Sequence, residues 1–478
     1  MWKSDLPKPP IGSFEKCAKC MAQFTVTKYT LAANPPPGWL CHPCAKAGGS
    51  DPFKKVGPRK RKAPAGDGSG RRVVVYFEER KFPSLVSLCI DLIGACIDDV
   101  EALGDIGNVN MDEIAKTISK SRLLTAQNAP LFYDVQNARL SLYDVTKLEP
   151  PALIALSNLN PNLTELRLDY CGRTTDEVLA HWETALPNLK RLELLGPFLV
   201  KAPAWQSFFR AHPSLEGFLI TQSPRFDLDC MCALVESCKN LQELRLVEIG
   251  LMQDSFLEPL HNLAGTLSSL SLASPGSTMN IDPLSEDALI KLIAAVGPGL
   301  THLDLSYNAD IGDQFLFKGL KPHTRKLKSL RLEHCLELTN AGVAEFFDAW
   351  VTTAQKAGVE PNPPLERINL SRNHGLGSDA LIALLEHSGP GLTHLNINEW
   401  KAASQDSLQT IAERAPNLHT LDIGFCREAD DSVIKALLDS CQTLSEVKVW
   451  GCQRLTVACP RKRGVNIIGV EAGQLVQS

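Results

Sequence analysis

The chain has 478 residues, of which 44% are hydrophobic and 22% are charged, and its formal net charge is −5. This length and composition fit two or three folded domains, or one elongated array with an appendage. No segment approaches the run of about 20 apolar residues that spans a bilayer, and the N-terminal stretch MWKSDLPKPP lacks the apolar core of a secretory signal. We therefore expect an intracellular protein that does not enter a membrane, whose fifteen cysteines are metal ligands or buried thiols.

The first predicted domain, residues 1–45, carries two Cys-x-x-Cys pairs. Their cysteines are Cys17, Cys20, Cys41 and Cys44. This spacing is typical of a structural zinc site, because each pair contributes two thiolates and the loop between the pairs lets them converge. A module of this size cannot fold on its own apolar core, so zinc would supply most of its stability, about 10–16 kcal/mol. Four cysteines leave no open position for water, which indicates a structural role, and we do not expect His42 to be a ligand.

The second segment, residues 46–71, is poor in hydrophobic residues and predicts a disordered linker. Between Lys46 and Arg72 nine basic residues stand against two aspartates, a net charge of +7, which leaves −12 for the rest of the chain. Four consecutive basic residues lie between two prolines: Arg59, Lys60, Arg61 and Lys62. Such a run is typical of a nuclear import signal or a phosphate-binding tether, and it is also found as a merely solvated charge cluster. The flanking prolines and the acidic remainder favour nuclear import.

Residues 72–135 are predicted to be helical and contain the stretch SLVSLCIDLI at 84–93. Its apolar residues recur in steps of three and four, the pattern of one helix face, and Ser84 after Pro83 is a suitable N-cap. On periodicity alone, this is a helix that caps the first repeat of the array that follows.

The same stretch also resembles the box by which substrate receptors of cullin ubiquitin ligases bind Elongin C. The matching positions are Ser84, Leu85, Cys89 and Ile93. The resemblance implies that Leu85 enters a hydrophobic pocket of the partner, that Cys89 packs beside it and that Ile93 follows one turn later. One helix can serve both purposes, in which case we expect Leu88 and Leu92 on the capping side.

Residues 136–463 predict an α/β solenoid of the leucine-rich-repeat type. A Leu-x-x-Leu-x-Leu pattern recurs mostly every 26 or 27 residues, and a degenerate copy at Leu140 brings the number of repeats to about twelve. Alternate leucines of each short strand point inward, and amphipathic segments such as 175–185 return as helices on the convex side of a horseshoe. Residues 464–478 are predicted to be a C-terminal cap and tail. The pattern begins at Leu163, Leu189, Leu215, Leu241, Leu267, Leu300, Leu327, Leu365, Leu392, Leu418 and Leu444.

Several repeats carry a cysteine after the strand, which indicates the cysteine-containing subclass. These cysteines, predicted to be buried small hydrophobic residues without a redox role, are Cys171, Cys335, Cys426 and Cys452. Two repeats are longer, because of insertions at 273–284 and 352–364. Each insertion is interpreted as a tolerated surface loop or as a partner-binding loop.

One side chain of each strand is expected to point outward on the concave face. The charged members of this row, which we predict to bind a partner, are Arg167, Glu193, Arg245, Asp304, Arg331, Asp422 and Lys448. The signs are mixed, so the face suits a protein partner better than a nucleic-acid backbone. The alternative interpretation is that Arg167 and Glu193 simply pair across neighbouring strands.

Long non-repetitive stretches resemble the fungal Rad-seven family, the leucine-rich-repeat subunit of global-genome nucleotide excision repair. The resemblance extends from Cys17 to about Glu471 and is carried by LGDIGNVNMDEIAKTISKSRLLT (103–125), LELLGPFLVKAPAW (192–205), GFLITQSPRFDL (217–228), LSRNHGLGSDALIALLEHSGP (370–390) and VWGCQRLTVACPRKRGVNIIGVE (449–471). It implies a nuclear adaptor that recognises DNA damage together with a Swi/Snf-type RING-finger ATPase of the Rad-sixteen type. It further implies that the chain is the substrate receptor of a ubiquitin ligase containing Elongin C and a cullin, and it leaves open whether the chain touches damaged DNA directly.

The sequence shows no constellation of catalytic residues. It has no phosphate-binding loop, and its eleven histidines are scattered without partners at a recognisable spacing, so we expect a protein that is not an enzyme and has no small-molecule substrate. Two alternatives remain. An F-box leucine-rich-repeat receptor unrelated to repair would need a late Trp, which residues 73–131 lack, and the cysteine pairs and basic segment count against a passive protein-binding scaffold.

Overall fold

A computed structural model describes residues 9–10, 13–27, 29–33, 35, 37–48, 73–77, 83–275, 284–357 and 362–472. The chain divides into two compact units, Met1–Ser69 and Gly70–Ser478. The basic run at 59–62 lies outside the described residues, as does most of the insertion at 273–284. None of the described helices combines the length and the apolar character needed to cross a membrane.

The first unit is built from short hairpins and one helix. Strand Phe14–Lys16 pairs antiparallel with Gln23–Thr25, and Leu31–Ala32 pairs antiparallel with Trp39–Leu40. The helix His42–Ala47 follows directly. Few of its side chains are buried, so the unit has little apolar core of its own.

The second unit contains a sheet of fourteen strands, twelve of which are consecutive, parallel and carry the repeats. The leucines of these strands are buried, as Leu166 and Leu244 illustrate with 1% exposure each. This arrangement confirms the predicted leucine-rich-repeat solenoid. The twelve strands are Arg139–Leu142, Glu165–Leu168, Arg191–Leu195, Gly217–Thr221, Glu243–Val247, Ser269–Ser271, His302–Asp304, Ser329–Arg331, Arg367–Asn369, His394–Asn396, Thr420–Asp422 and Glu446–Lys448.

Each of these strands except the last, Glu446–Lys448, is followed by a helical segment that packs on its neighbours. The helix Asp176–Ala185 begins at Thr175, whose hydroxyl accepts a hydrogen bond from the Val178 N–H, as expected for an N-cap. Shorter 3-10 or π turns supplement the helices at 254–256, 261–263, 297–299, 315–320 and 389–391. The α-helices are Pro150–Leu159, Asp176–Ala185, Ala202–Ala211, Leu228–Ser237, Leu257–Leu260, Glu286–Val296, Lys321–His323, Asn340–Ala357, Ser378–Ser388, Gln405–Arg414 and Asp431–Ser440.

The core runs the length of the solenoid as one cluster of buried residues. Its largest aromatic group has ring centroids 5.0–6.5 Å apart and consists of Trp205, Phe208, Phe209, Phe218 and Phe226. The four cysteines that follow strands are at most 1% exposed, which confirms that they are buried. Burial raises the pKa of the Cys171 thiol to about 12, so this thiol stays protonated and unreactive.

Two segments differ from the sequence prediction. Residues 352–357, expected in a loop, belong to the long helix Asn340–Ala357, while 358–361 lie outside the described residues. Val73–Phe77, expected in a helical segment, is a strand that pairs antiparallel with Asn466–Ala472, and the latter extends the sheet beside Glu446–Lys448. The run VVVYF is rich in β-branched and aromatic residues, and the last strand of the solenoid offers it an edge to pair with.

Two helices precede the first repeat. Leu85–Ala95 packs against Asn108–Lys120, which in turn contacts the first strand, Arg139–Leu142. A 3-10 turn at Ile97–Asp99 lies between the two helices, and a second at Ala129–Phe132 leads into the first strand. These helices therefore cover the N-terminal end of the solenoid core.

Candidate functional site

The four N-terminal cysteines converge in the first unit, where their sulfur atoms all lie within 4.8 Å of one another. Cys17 and Cys20 occupy the turn between two paired strands, closed by hydrogen bonds from the Cys17 N–H to Ala22 O and from the Met21 N–H to Cys17 O, both 2.9 Å. Cys41 occupies the N-cap position of the helix His42–Ala47, and Cys44 lies in its first turn. Among the described residues, the group that can hold a metal consists of these four cysteines, without His42.

The electrostatics of this cluster suit a divalent cation. Burial opposes ionisation of Cys17, but N–H groups of Cys41, Cys20 and Lys19 outweigh it and lower the pKa of this thiol to about 6. The neighbouring Cys41 and Cys20 sulfurs raise the pKa of Cys44 to about 12, because negative charge accumulates among the sulfurs. A cation that accepts four thiolates in tetrahedral geometry relieves this repulsion. The cluster therefore fits zinc, held by all four cysteines as a structural ion.

The helix Leu85–Ala95 is the second candidate site, and it presents an apolar surface to solvent. The hydroxyl of Ser84 accepts a hydrogen bond of 3.1 Å from the Ser87 N–H, so the helix is capped as predicted. Leu85 is 76% exposed and Leu92 is 66% exposed. The exposed face also includes Val86, Leu88 and Cys89. So large an apolar patch on a short helix indicates an interaction surface.

The opposite face of the helix is fixed by close packing at Gly94. A Cβ atom on Gly94 would lie 2.8 Å from Cγ2 of Thr117 in the helix Asn108–Lys120, so Gly94 leaves the space that the Thr117 side chain occupies. Ile90 and Ile93 are half-buried against the core, and Ile97 is 2% exposed.

The predicted division of this helix into two faces was therefore wrong in part. Leu88 and Leu92, expected on the capping side, are exposed together with Leu85 and Cys89. Ile93, expected on the partner side, is half-buried. At 100° per residue, Leu85, Leu88, Cys89 and Leu92 lie opposite Gly94, so the position of the glycine decides which residues face solvent. Gly94 was the residue in the sequence that could have indicated the buried face of this helix, and the pattern of apolar residues alone did not reveal it.

The helix Asn108–Lys120 joins this surface to the repeats through polar contacts as well as its buried isoleucines. The Tyr143 hydroxyl donates a hydrogen bond of 2.6 Å to Asp112, and Lys116 lies 2.6 Å from the same carboxylate. The guanidinium of Arg167 stacks over the Tyr143 ring, 5.0 Å from its centroid. The helix Leu85–Ala95 thus packs on a helix, Asn108–Lys120, that is itself held to the repeats by these contacts.

The concave row has the predicted register, with Arg167 opposite Glu193 and Arg245 two strands further on. Glu193, however, is only 5% exposed and contacts three arginines. Its carboxylate lies 2.6 Å from Arg245, 2.9 Å from Arg191 and 3.5 Å from Arg167. Burial favours the protonated acid, but these guanidinium groups outweigh it and lower the pKa of Glu193. This half of the concave face is occupied by its own ion pairs.

The C-terminal half of the concave face is more open. A cavity of about 390 Å³ is lined there by three of the predicted residues, Arg331, Asp422 and Lys448, together with Arg367 and His394. Asp304 lies 3.7 Å from Arg331, and Lys448 lies 3.3 Å from Glu446.

Comparison with known proteins supports the zinc site and the repeat fold. A family model described as the DNA repair protein rhp7 treble clef domain matches residues 11–50, and a leucine-rich-repeat model matches residues 300–314. The first match and the four-cysteine cluster confirm the predicted structural zinc, and the second agrees with the solenoid fold.

Relatives match along most of the chain. The DNA repair protein rhp7 of Schizosaccharomyces pombe is 32% identical over 446 residues, which cover 92% of this chain and 76% of the relative. The DNA repair protein RAD7 of Saccharomyces cerevisiae is 30% identical over 439 residues, which cover 87% of this chain and 74% of the relative. A crystal structure of the Rad7 and Elc1 complex in yeast matches with a TM-score of 0.65 and 27% identity, over 82% of this chain and 99% of that chain.

Proposed function

Because the chain belongs to the family of the DNA repair proteins rhp7 and RAD7, we propose that it is a non-catalytic repair subunit that binds Elongin C through the helix Leu85–Ala95. The observation that carries the proposal is the 76% exposure of Leu85 on a capped and well-supported helix. The yeast complex of Rad7 with Elc1, an Elongin C, supplies the kind of partner that such a surface fits.

The chemistry of the exposed face supports an apolar pocket as its counterpart. Burying a leucine side chain contributes about 1.5–3 kcal/mol, so Leu85, Leu88 and Leu92 together can supply most of the affinity of a stable complex. Cys89 lies between them and is small enough to let the partner approach the helix closely. The helix is already formed and capped, so binding does not have to order it.

The proposal extends to a wider assembly, which the family resemblance supports. We propose that the chain acts in the nucleus as a substrate receptor of a ubiquitin ligase containing Elongin C and a cullin. We further propose that it works with a Swi/Snf-type ATPase of the Rad-sixteen type at damaged DNA. The open cavity around Arg331 and Lys448 offers one surface for a protein partner. Family membership favours this role over an F-box receptor unrelated to repair and over a passive scaffold.

The test is a calorimetric titration of the full chain with Elongin C. We expect Leu85→Ala to weaken binding by about 10- to 100-fold, because a leucine in a pocket contributes about 1.5–3 kcal/mol. The free energy of unfolding should change by less than about 1 kcal/mol, since the side chain is exposed. Leu88→Ala should weaken binding as well, which the original assignment of Leu88 to the capping side would not predict.

A matched control is Leu159→Ala, which removes a leucine that is 46% exposed on a helix of the repeats. This variant should bind Elongin C like the wild type. Equal affinities of the wild type and Leu85→Ala would refute the proposed surface, and so would an equal loss in Leu159→Ala.

A further inference from the structure

The last strand of the solenoid does not end the sheet. Asn466–Ala472 runs parallel to Glu446–Lys448 on one side and pairs on its other side with Val73–Phe77. Val73 lies opposite Ala472, Val74 opposite Glu471 and Val75 opposite Val470 in this antiparallel ladder. The segment just before the exposed helix is thus attached to the far end of the repeats.

The register of this ladder shifts between Ile467 and Val470. Gly469 lies at the shift with φ 94°, a conformation that favours glycine. A Cβ atom there would also lie 2.5 Å from the Trp450 ring. The register shift therefore requires Gly469, as expected for a β-bulge that is a designed feature of the strand pair.

The covalent distance between the two attachments is short. Eight residue steps separate Phe77 from Leu85, and a fully extended chain of that length spans at most about 28 Å. The first and last parallel strands, by contrast, are twelve strand spacings apart, or about 58 Å along the sheet. Leu85–Ala95 belongs to the first-strand end, because it packs on Asn108–Lys120.

We propose that Val73–Phe77 is an intramolecular clasp. It adds a strand to the C-terminal edge of the solenoid and holds that end within about 28 Å of the start of the helix Leu85–Ala95. An unpaired terminal strand would expose a row of free N–H and C=O groups, and the clasp covers them. It also fixes the curvature of the repeats, since the two ends of the array are tied through one short link. The inference goes beyond the proposed function and does not depend on it.

The chain's own segment is the favoured occupant of this edge. A strand tethered by a short link has an effective concentration in the millimolar range, far above that of a second copy in solution. A segment from a second copy, exchanged between two chains, is the competing arrangement, and the experiments below separate the two.

The first experiment breaks the ladder in the full chain. Neighbouring residues of a strand face opposite edges with their N–H groups, so replacing both Val74 and Val75 by proline removes a donor of the ladder whichever of them provides it. Amide hydrogen exchange within 466–472 should accelerate at least tenfold, while exchange in the central strand Gly217–Thr221 should stay unchanged. The matched control replaces both valines by alanine, which keeps the N–H groups and should retain the protection.

The second experiment tests separately whether the short link holds the two ends of the repeats together, while leaving the pairing of Val73–Phe77 with Asn466–Ala472 intact. Ten Gly–Ser residues inserted between Phe77 and Pro83 lengthen the link without touching the strand. The distance between spectroscopic labels at Asn162 and Gln442, near the two ends of the repeats, should then become longer or more broadly distributed, while 466–472 stays protected. The proline variant should show the same change in distance.

The outcomes decide the proposal clearly. Unchanged exchange within 466–472 in the proline variant would overturn the clasp, and an unchanged label distance in the insertion variant would overturn the closure. A dimer in which 73–77 cross-links to 466–472 of a second chain would replace the clasp by an exchanged strand. Elongin C affinity should be unaffected in the proline variant, so a failure of the clasp and a failure of the partner surface are distinguishable.

Discussion

At the scale of single residues, four thiols gathered within 4.8 Å of one another are the clearest chemical feature of the chain. Spacing alone predicted the set, because two close pairs on a short module have few other ways to be satisfied. The structure shows how the two cysteine pairs are brought together. One pair lies in a tight turn with Met21 at φ 61°, and the other lies at the start of the helix His42–Ala47.

Loss of one ligand should release the metal. We expect Cys17→Ser in the full chain to lower the zinc content from one ion per chain to nearly none, because three thiolates do not complete the site. The thermal transition of the repeats should not move, since the cluster belongs to a separate compact unit. Elemental analysis and calorimetry measure the two quantities. Cys96→Ser, at an exposed cysteine outside the module, should keep the zinc.

A buried histidine should make the solenoid sensitive to acid. The His387 ring stacks on Trp350 with centroids 4.8 Å apart, and burial lowers its pKa from 6.5 to about 4. Between these two values the unfolded chain binds a proton that the folded chain does not, so stability falls as the pH falls from 6.5 towards 4. The loss attributable to this one group is at most about 3 kcal/mol.

Urea unfolding at pH 7 and pH 4.5 measures this contribution. His387→Gln should reduce the loss of stability between the two pH values by about 1–3 kcal/mol, since glutamine does not titrate. His261→Gln, at an exposed histidine, should leave the loss as it is in the wild type. An identical pH dependence in the wild type and His387→Gln would contradict the assignment.

At the scale of secondary-structure elements, the N-terminal strands are joined by charges that reach across an intervening strand. Arg191 reaches Glu243 at 3.0 Å, past Gly217, and Arg245 reaches Glu193 at 2.6 Å, past Leu219. Gly217 permits the first crossing, because a Cβ atom there would lie 2.8 Å from Cγ of Arg191. These pairs connect strands that are not neighbours, so the three strands form one electrostatic unit.

Removing the central carboxylate should destabilise this unit. We expect Glu193→Gln to lower the free energy of unfolding by about 1–3 kcal/mol, less than for a fully buried pair because its three arginines are partly exposed. Glu216→Gln, which breaks an exposed pair with Lys190, should cost under about 1 kcal/mol. Equal effects of the two substitutions in denaturant titrations would show that the buried carboxylate has no special role.

The exposed helix shows how one contact orients a whole element. Periodicity correctly identified a helix in SLVSLCIDLI, and the Ser84 cap fixed where it begins. It could not say which of two overlapping apolar stripes faces the solvent. Gly94 decides this, because only a glycine admits Thr117 at that distance. Compared with the predicted partner-binding face, the observed exposed face includes Leu88 and Leu92 and leaves out Ile93, which packs against the core.

At the scale of the whole molecule, charge is divided unevenly along the chain. The segment from Lys46 to Arg72 carries +7, and the rest carries −12. An acidic solenoid repels a phosphate backbone, so direct contact with DNA would have to come from the basic segment. Any electrostatic attraction of the chain to nucleic acid is therefore expected from this basic segment.

Neutralising the basic run should change both localisation and DNA binding. We expect alanine at residues 59–62 to shift the protein from nucleus to cytoplasm. It should also reduce the slope of log affinity against log salt by about 3–4 on duplex DNA, since each lost phosphate contact contributes about 0.9. Lys54→Ala with Lys55→Ala, in the same segment but outside the run, should leave localisation unchanged. If neither property changes for residues 59–62, the run is only solvated charge.

The sequence by itself determined the features that repeat or that depend on spacing. A period of 26 or 27 residues fixed the solenoid, because no unit can bury its leucines without a neighbour. Cysteine spacing fixed the zinc module. The cysteines after the strands were correctly predicted to be buried, since their position in each repeat is the same.

Only the tertiary structure decided the features that join residues far apart in the chain. The alternative pairing of Arg167 with Glu193 is present, but Glu193 is also covered because Arg245 reaches it from two strands away, and neither interpretation of the sequence included that contact. Val73–Phe77 is a strand because the last strand of the solenoid offers it an edge, almost 400 residues later in the chain. Local patterns carry the preferences of a segment for helix or strand. Packing against distant segments decides which preference is realised and which side chains remain exposed.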